Sequence, residues 1–176
     1  MKRLSLLSLT CAALLSAGNT VSDWNAIASS TIVGTAGKPP GAANVWFAYW
    51  SIAVYDAVNA ITGQGEPFYY RISAASNASV DAAAAAAARR VLVNYFPAQQ
   101  AALDAQFNRS LAAIDATPAA KDAGVSVGEA AALALIAARV GDGLEANIPY
   151  APGSGPGAWV PTPPALAAPA VPWLGQ

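Results

Sequence analysis

The sequence predicts an all-α fold: a bundle of about four to five helices followed by a long, irregular, proline-rich C-terminal arm. Three observations carry this. Apolar residues recur at helical spacing in segment after segment, and no sustained alternation of the kind a strand needs is present. The helical segments open with capping residues or with proline at a first helical position. From position 144 onward the periodicity stops, because Pro149, Pro152, Pro156, Pro161, Pro163, Pro164, Pro169 and Pro172 break any regular helix.

The first helix is expected over 21–33, with Ser22 as N-cap and Trp24, Ile27 and Ala28 on one face. A loop containing Pro39-Pro40 follows over 34–41. The strongest helix spans 42–61. Val45, Tyr49, Ile52 and Asp56 form one stripe, and Phe47, Trp50, Val54, Ala57 and Ile61 form another. A helix apolar on nearly every side is a buried one. Asp56 and Asn59 lie three apart on it and share a face. Buried polar groups need partners, and Arg71, Arg89 and Arg90 are the nearest charged candidates in sequence. The expected role of the pair is to fix the register of the helix. Asp56 has no general base or nucleophile beside it that would make it catalytic.

Segment 62–78 reads as irregular, with Gly63, Gly65, Pro67 and the aromatic run Phe68-Tyr69-Tyr70. Ser79 caps the next helix, which runs to about Tyr95, with Asp81 favourable in its first turn. The alanine run 82–88 is a strong helix former that lets a neighbour pack closely, and Val91, Leu92, Tyr95 and Phe96 supply bulk. Pro97 restarts the chain at an N1-like position. Leu103, Phe107, Leu111 and Ile114 then form one apolar stripe opposite a polar, solvated face that includes Asp104. The last helix begins at the cap pair Thr117-Pro118 and reaches Val140, with Val125, Ala132, Leu133, Ile136 and Val140 inward. Gly124 and Gly128 permit close approach of another backbone, and Lys121, Asp122 and Glu129 argue against a membrane span. Gly141 and Gly143 end the helix. The tail carries Tyr150, Trp159, Leu166, Val171 and Trp173, so it reads as an arm lying on a folded body or leading into one.

Composition narrows the function classes. Of 176 residues, 55% are hydrophobic and 11% charged, and the formal net charge is −1. With no basic patch or stripe, nothing attracts nucleic acid electrostatically. Lys2 and Arg3, the apolar stretch 4–15 and the small residues Ser16-Ala17-Gly18 read as an export signal over 1–18. The expected location is therefore periplasmic or extracellular. Cys11, the single cysteine, would leave with that signal, so the mature chain would hold no disulfide. There is no histidine. That removes Ser-His-Asp triads, Cys-His pairs and imidazole metal sites. Gly153-Ser154-Gly155-Pro156-Gly157 is glycine-rich but is flanked by prolines and opens no helix, so it reads as a turn rather than a phosphate cradle. Asp104 and Asp115 have no partner at helical spacing. The sequons at Asn77 and Asn108 read as chance matches. No catalytic, cofactor-binding or metal-binding residue is assigned.

One succession of segments does carry a resemblance. It runs Val21-Ser22-Asp23-Trp24-Asn25, then Val54-Tyr55-Asp56-Ala57-Val58-Asn59-Ala60-Ile61, then Ala86-Ala87-Ala88-Arg89-Arg90-Val91-Leu92 with Tyr95-Phe96-Pro97. Val127-Gly128-Glu129-Ala130-Ala131-Ala132 and Pro149-Tyr150-Ala151-Pro152-Gly153, leading to Trp159-Val160-Pro161, complete it. In this order the segments resemble the N-terminal half of secreted bacterial vanadium-dependent haloperoxidase-like proteins, relatives of the type 2 phosphatidic acid phosphatases. The resemblance implies a helical bundle that holds vanadate or phosphate through a lysine, two arginines and a histidine. A second histidine bonds the metal or attacks phosphorus. The resemblance places those residues in a C-terminal half, and none of their motifs occurs in this sequence. Arg89 and Arg90 match a scaffold helix of the family, not its pocket. The expectation is a truncated, non-catalytic scaffold without cofactor over 19–143, with the arm 144–176 leading to an absent catalytic domain. Two alternatives stay open: an enzyme half completed by a separate C-terminal part, and an exported helical interaction module. A further expectation is self-association, because the helix over 42–61 needs apolar neighbours on every side.

Overall fold

The computed structural model describes residues 19–71, 73–74, 76–144, 153–161 and 163–166. Residues 1–18, read from the sequence as an export signal and containing Cys11, the stretch 145–152 with Tyr150, and the end of the arm with Val171 and Trp173 lie outside the described residues. The fold is all-α, with five α-helices and no strand among the described residues.

Helix α1 (Thr20–Ser29) is capped by Asn19, whose side chain accepts from the amides of Val21 and Ser22. The cap is therefore Asn19 and not Ser22. Its carboxamide oxygen does what the Ser22 hydroxyl would have done, three residues earlier in the chain. Trp24 and Ala28 are buried, and the Trp24 indole Nε1 donates to Ser110 Oγ at 3.1 Å, tying α1 to a segment 86 residues further along the chain. The chain then winds into a π-helical segment (Ser30–Thr35), so the helical path runs two residues beyond the expected end at Val33. The Gln99 side-chain amide donates to the Thr31 carbonyl at 3.1 Å, and the Lys38 ammonium sits 4.5 Å from the centre of the Trp46 ring.

Helix α2 (Pro40–Thr62) begins two residues before the expected start, with Pro40 at N1, and ends at Gly63 in the left-handed conformation (φ 61°). Its open face consists of Asn44, Ala48, Ser51, Tyr55 and Thr62, all small or polar except Tyr55. The expectation of a nearly fully buried helix therefore holds. Large exposed apolar side chains lie elsewhere, at Val33, Phe68, Tyr69, Leu133 and Val140.

Helix α3 (Val80–Tyr95) is the centre of the bundle and touches each of the other four α-helices. Ser79 caps it as expected, accepting from the Ala82 amide. All seven alanines of the run 82–88 are buried. A short 3-10 turn (Pro97–Gln99) leads into α4 (Gln100–Ala113). Leu103 is fully buried there, while Phe107, Leu111 and Ile114 are half-buried.

Helix α5 (Pro118–Ala138) is capped by Thr117 and lies along α3. Its inward face differs from the expected one. Gly124, Gly128, Ala131, Ala132 and Leu135 are buried, whereas Leu133 is 48% and Val140 81% exposed, and Val125 and Ile136 are half-buried. The reason is distance. A Cβ on Gly124 would lie 2.3 Å from the Ser79 carbonyl oxygen, and one on Gly128 would lie 2.2 Å from that of Ala83. The two backbones touch along this glycine–alanine seam, and the seam rotates the larger side chains to its flanks. The Ser79 amide also donates to the Ala120 carbonyl at 2.9 Å, pinning the start of α3 to α5.

The end of α5 is clasped to α2. Tyr49 donates its hydroxyl to the Asp142 carboxylate, the Arg139 guanidinium lies 5.5 Å from the Tyr49 ring centre, and the Tyr95 ring stacks at 5.4 Å. Burial, reinforced by the Asp142 hydrogen bond, pushes the Tyr49 hydroxyl well above its ordinary pKa. Burial also raises the Tyr95 hydroxyl, with the Asp142 charge adding to it. A phenol whose folded pKa is raised binds its proton more tightly when folded. Its stabilising contribution is complete below the unfolded tyrosine value of about 10 and is lost as pH rises above it. Tyr49→Phe is expected to flatten the fall in stability between about pH 9 and pH 11 relative to wild type. Denaturant melts at the two pH values, run on both proteins, measure this.

Candidate functional site

Two polar assemblies stand out in an interior otherwise built mainly from alanine, aliphatic and aromatic side chains. The first is at the C-terminal end of α2. Asp56 is 2% exposed and Asn59 is 7% exposed. A helix that continues for six residues past Asp56 and then reverses at Gly63 brings the following loop back over its own last turns. The loop supplies the partners. The amide of Phe68 donates to Asp56 Oδ1, and those of Tyr69 and Tyr70 donate to Oδ2, each at 2.7 Å. Asn59 grips Gly65 twice, accepting from its amide and donating to its carbonyl, both at 2.8 Å. Tyr55 adds a hydroxyl bond to the Glu66 carbonyl at 2.9 Å.

The pair on one face is therefore structural, as expected, but the partners are backbone amides and not Arg71, Arg89 or Arg90. Three aligned N–H donors satisfy a carboxylate as well as a guanidinium does, without burying a second side chain. Arg71 is on the surface, 3.9 Å from the still more exposed Glu66. The loop residues so fixed include two exposed aromatics, Phe68 at 62% and Tyr69 at 48%.

The second assembly joins α3, α4 and α5. Arg89 reaches Asp104 on α4 through Nε and Nη2, both at 2.6 Å, and Glu129 on α5 through Nη1 at 3.3 Å. Its guanidinium carbon lies 5.3 Å from the centre of the Phe107 ring. Arg90 donates through Nε to the other oxygen of Glu129. Asp104 thus has a partner that its position on a solvated helix face did not predict, because the partner lies on a neighbouring helix. Glu129, which its sequence context does not mark as an ion-pair partner, joins the two arginines of this network. The signal that could have found it is its place one residue after Gly128, where the seam brings α5 against α3.

These groups line an open cleft of about 670 Å³ together with Asn108, Val125, Ser126 and Leu133. Its two arginines face two carboxylates, so its charge balances. The vanadate or phosphate that the family resemblance implies does not fit this arrangement. Arg89 is fully engaged by Asp104 and Glu129, Glu129 would repel a multiply charged oxyanion, and the sequence has no imidazole to bond vanadium or attack phosphorus. Asp115 lies elsewhere, in a shallow depression with Asp23 and Asp81. No cluster of metal-ligating side chains occurs among the described residues, and no described helix is long and apolar enough to cross a membrane. Gly153–Gly157 is irregular and opens no helix, in keeping with a turn.

Comparison of the chain with protein-family models, with curated proteins and with solved structures finds no match.

Proposed function

We propose that the chain acts as an exported helical scaffold without catalysis of its own, of the kind that resembles the N-terminal part of haloperoxidase- and phosphatase-like proteins. One observation carries the reading. The buried polar groups of the bundle are committed to the fold. Asp56 is occupied by three amides and Asn59 by Gly65, while Arg89 holds Asp104 and Glu129. A general base needs a free lone pair facing a substrate. Export rests on Lys2-Arg3 and the apolar stretch after them.

The test is turnover by purified chain lacking residues 1–18. Neither phosphate-ester hydrolysis nor peroxide-dependent halide oxidation is expected above background, with or without added vanadate. Turnover that scales with protein concentration and falls in Asp56→Asn or Arg89→Gln would overturn the proposal.

The exposure of Phe68 and Tyr69 on a loop held rigid by buried hydrogen bonds favours a second reading, in which the scaffold docks a partner or a complementary C-terminal part. Activity that appears only after mixing with a separately produced C-terminal half of a haloperoxidase-like protein would select it.

A further inference from the structure

The cleft between α3, α4 and α5 is lined by apolar and charged side chains together. Phe107, Val125 and Leu133 are the apolar ones, the last almost half exposed, and Glu129 lies between Val125 and Leu133 at four-residue spacing on α5. The two arginines are used differently. Arg89 engages all three of its nitrogens with Asp104 and Glu129, and its side chain is 20% exposed. Arg90 is bonded through Nε alone, and its side chain is 39% exposed. Among the described residues, its two terminal nitrogens make no hydrogen bond. A guanidinium presents two edges that match a carboxylate in fork geometry. Glu129 takes the Nε side of Arg90, which leaves the edge formed by Nη1 and Nη2 for another acceptor.

We propose that this cleft binds a single carboxylate attached to an apolar body, with the carboxylate on the terminal nitrogens of Arg90 and the body against Phe107, Val125 and Leu133. The volume of about 670 Å³ is ample for an aromatic acid or a short peptide end, within the range of ordinary ligand clefts. The two carboxylates already present set the charge preference. One added negative charge meets the open edge of Arg90 against the repulsion of Glu129 beside it, and a dianion such as a phosphate monoester meets that repulsion with twice the charge. A neutral ligand of the same shape gains the apolar contacts but leaves the Arg90 edge unused. This site is independent of the scaffold reading, since a scaffold and an enzyme half could each carry it.

Two sources share this chemistry, a free organic acid and the C-terminus of a peptide, and the experiment separates them. The chain lacking residues 1–18 is titrated by NMR with 3-phenylpropionate, 3-phenylpropanol and phenyl phosphate. It is also titrated with a tripeptide ending in phenylalanine, with a free and with an amidated C-terminus. The expected result is saturable shifts at Phe107, Val125 and Leu133 with 3-phenylpropionate, with the free-ended peptide, or with both, and weaker binding of the alcohol, the phosphate and the amide. Binding of the acid alone assigns free acids, and binding of the peptide alone assigns chain ends. In Arg90→Gln, with helix content checked by circular dichroism, binding is expected to weaken about tenfold, equivalent to about 1.4 kcal/mol. In Leu133→Ser, a change at an exposed position that leaves the ion network in place, the acid is also expected to bind more weakly. The proposal is overturned if no carboxylate binds, if acid and alcohol bind alike, if phenyl phosphate binds as well as the acid, or if Arg90→Gln binds undiminished.

Discussion

Gly128→Ala is expected to destabilise the bundle by about 3 kcal/mol or more, at or beyond the top of the usual range for overpacking. The added methyl would sit 2.2 Å from the Ala83 carbonyl oxygen, 2.9 Å from Ala86 Cβ and 2.9 Å from the Ala87 nitrogen. Two of these three neighbours are backbone atoms of α3, so no side-chain rotation relieves the clash. The helices must separate, and separation uncovers the buried alanine run along the whole seam. Intrinsic propensity acts in the opposite direction, since alanine in a helix is favoured over glycine by about 1 kcal/mol. The sign of the measured change therefore decides which effect governs. Gly34→Ala is the matched control. A Cβ there meets nothing nearer than Ser30 Oγ at 3.9 Å, and the expected change is within about 0.5 kcal/mol. Chemical denaturation of the three proteins at one pH gives the comparison.

Asp56→Ala is expected to cost about 3 kcal/mol, because three amide donors lose their acceptor in a site that water reaches poorly. The loss is concentrated in the 65–70 loop, and α3 and α5 remain packed on each other. Asp56→Asn should fall between alanine and wild type. The carboxylate accepts on both oxygens, one bond at Oδ1 and two at Oδ2. A carboxamide turns one of those oxygens into a donor that faces an amide N–H. Equal stability of all three proteins in denaturant would show that these bonds contribute nothing net.

The helices themselves were legible in the sequence because their signals are local. Thr117-Pro118 and Ser79 announce helix starts that the structure reproduces, and the apolar stripes of 42–61 announce a helix buried on most sides. What was not legible depends on contacts between segments. Leu133 and Val140 read as inward because bulk usually marks the core. Yet the close approach of α5 to α3 is set by glycine and alanine, and bulk is excluded from the line of contact. Gly124 and Gly128 did signal that approach, but spacing alone does not say which helix arrives. The Asp56 carboxylate was legible as a buried group in need of partners. Its partners were not, because backbone amides carry no residue-specific mark and charged side chains draw the eye first. Asp104 looked solvated for a similar reason: helical spacing finds partners on the same helix, and Arg89 is on another. Asn19 lay outside the expected first helix, so its capping role went to Ser22.

The claim that the buried Asp56 and Asn59 are committed to holding the structure is tested most directly by amide hydrogen exchange in the 65–70 loop. The account predicts that Gly65, Phe68, Tyr69 and Tyr70 exchange slowly although they lie in no helix, and that Asp56→Ala releases the last three while the amides of α3 stay protected. Exchange of these four amides in the wild-type protein as fast as in an exposed peptide would contradict it.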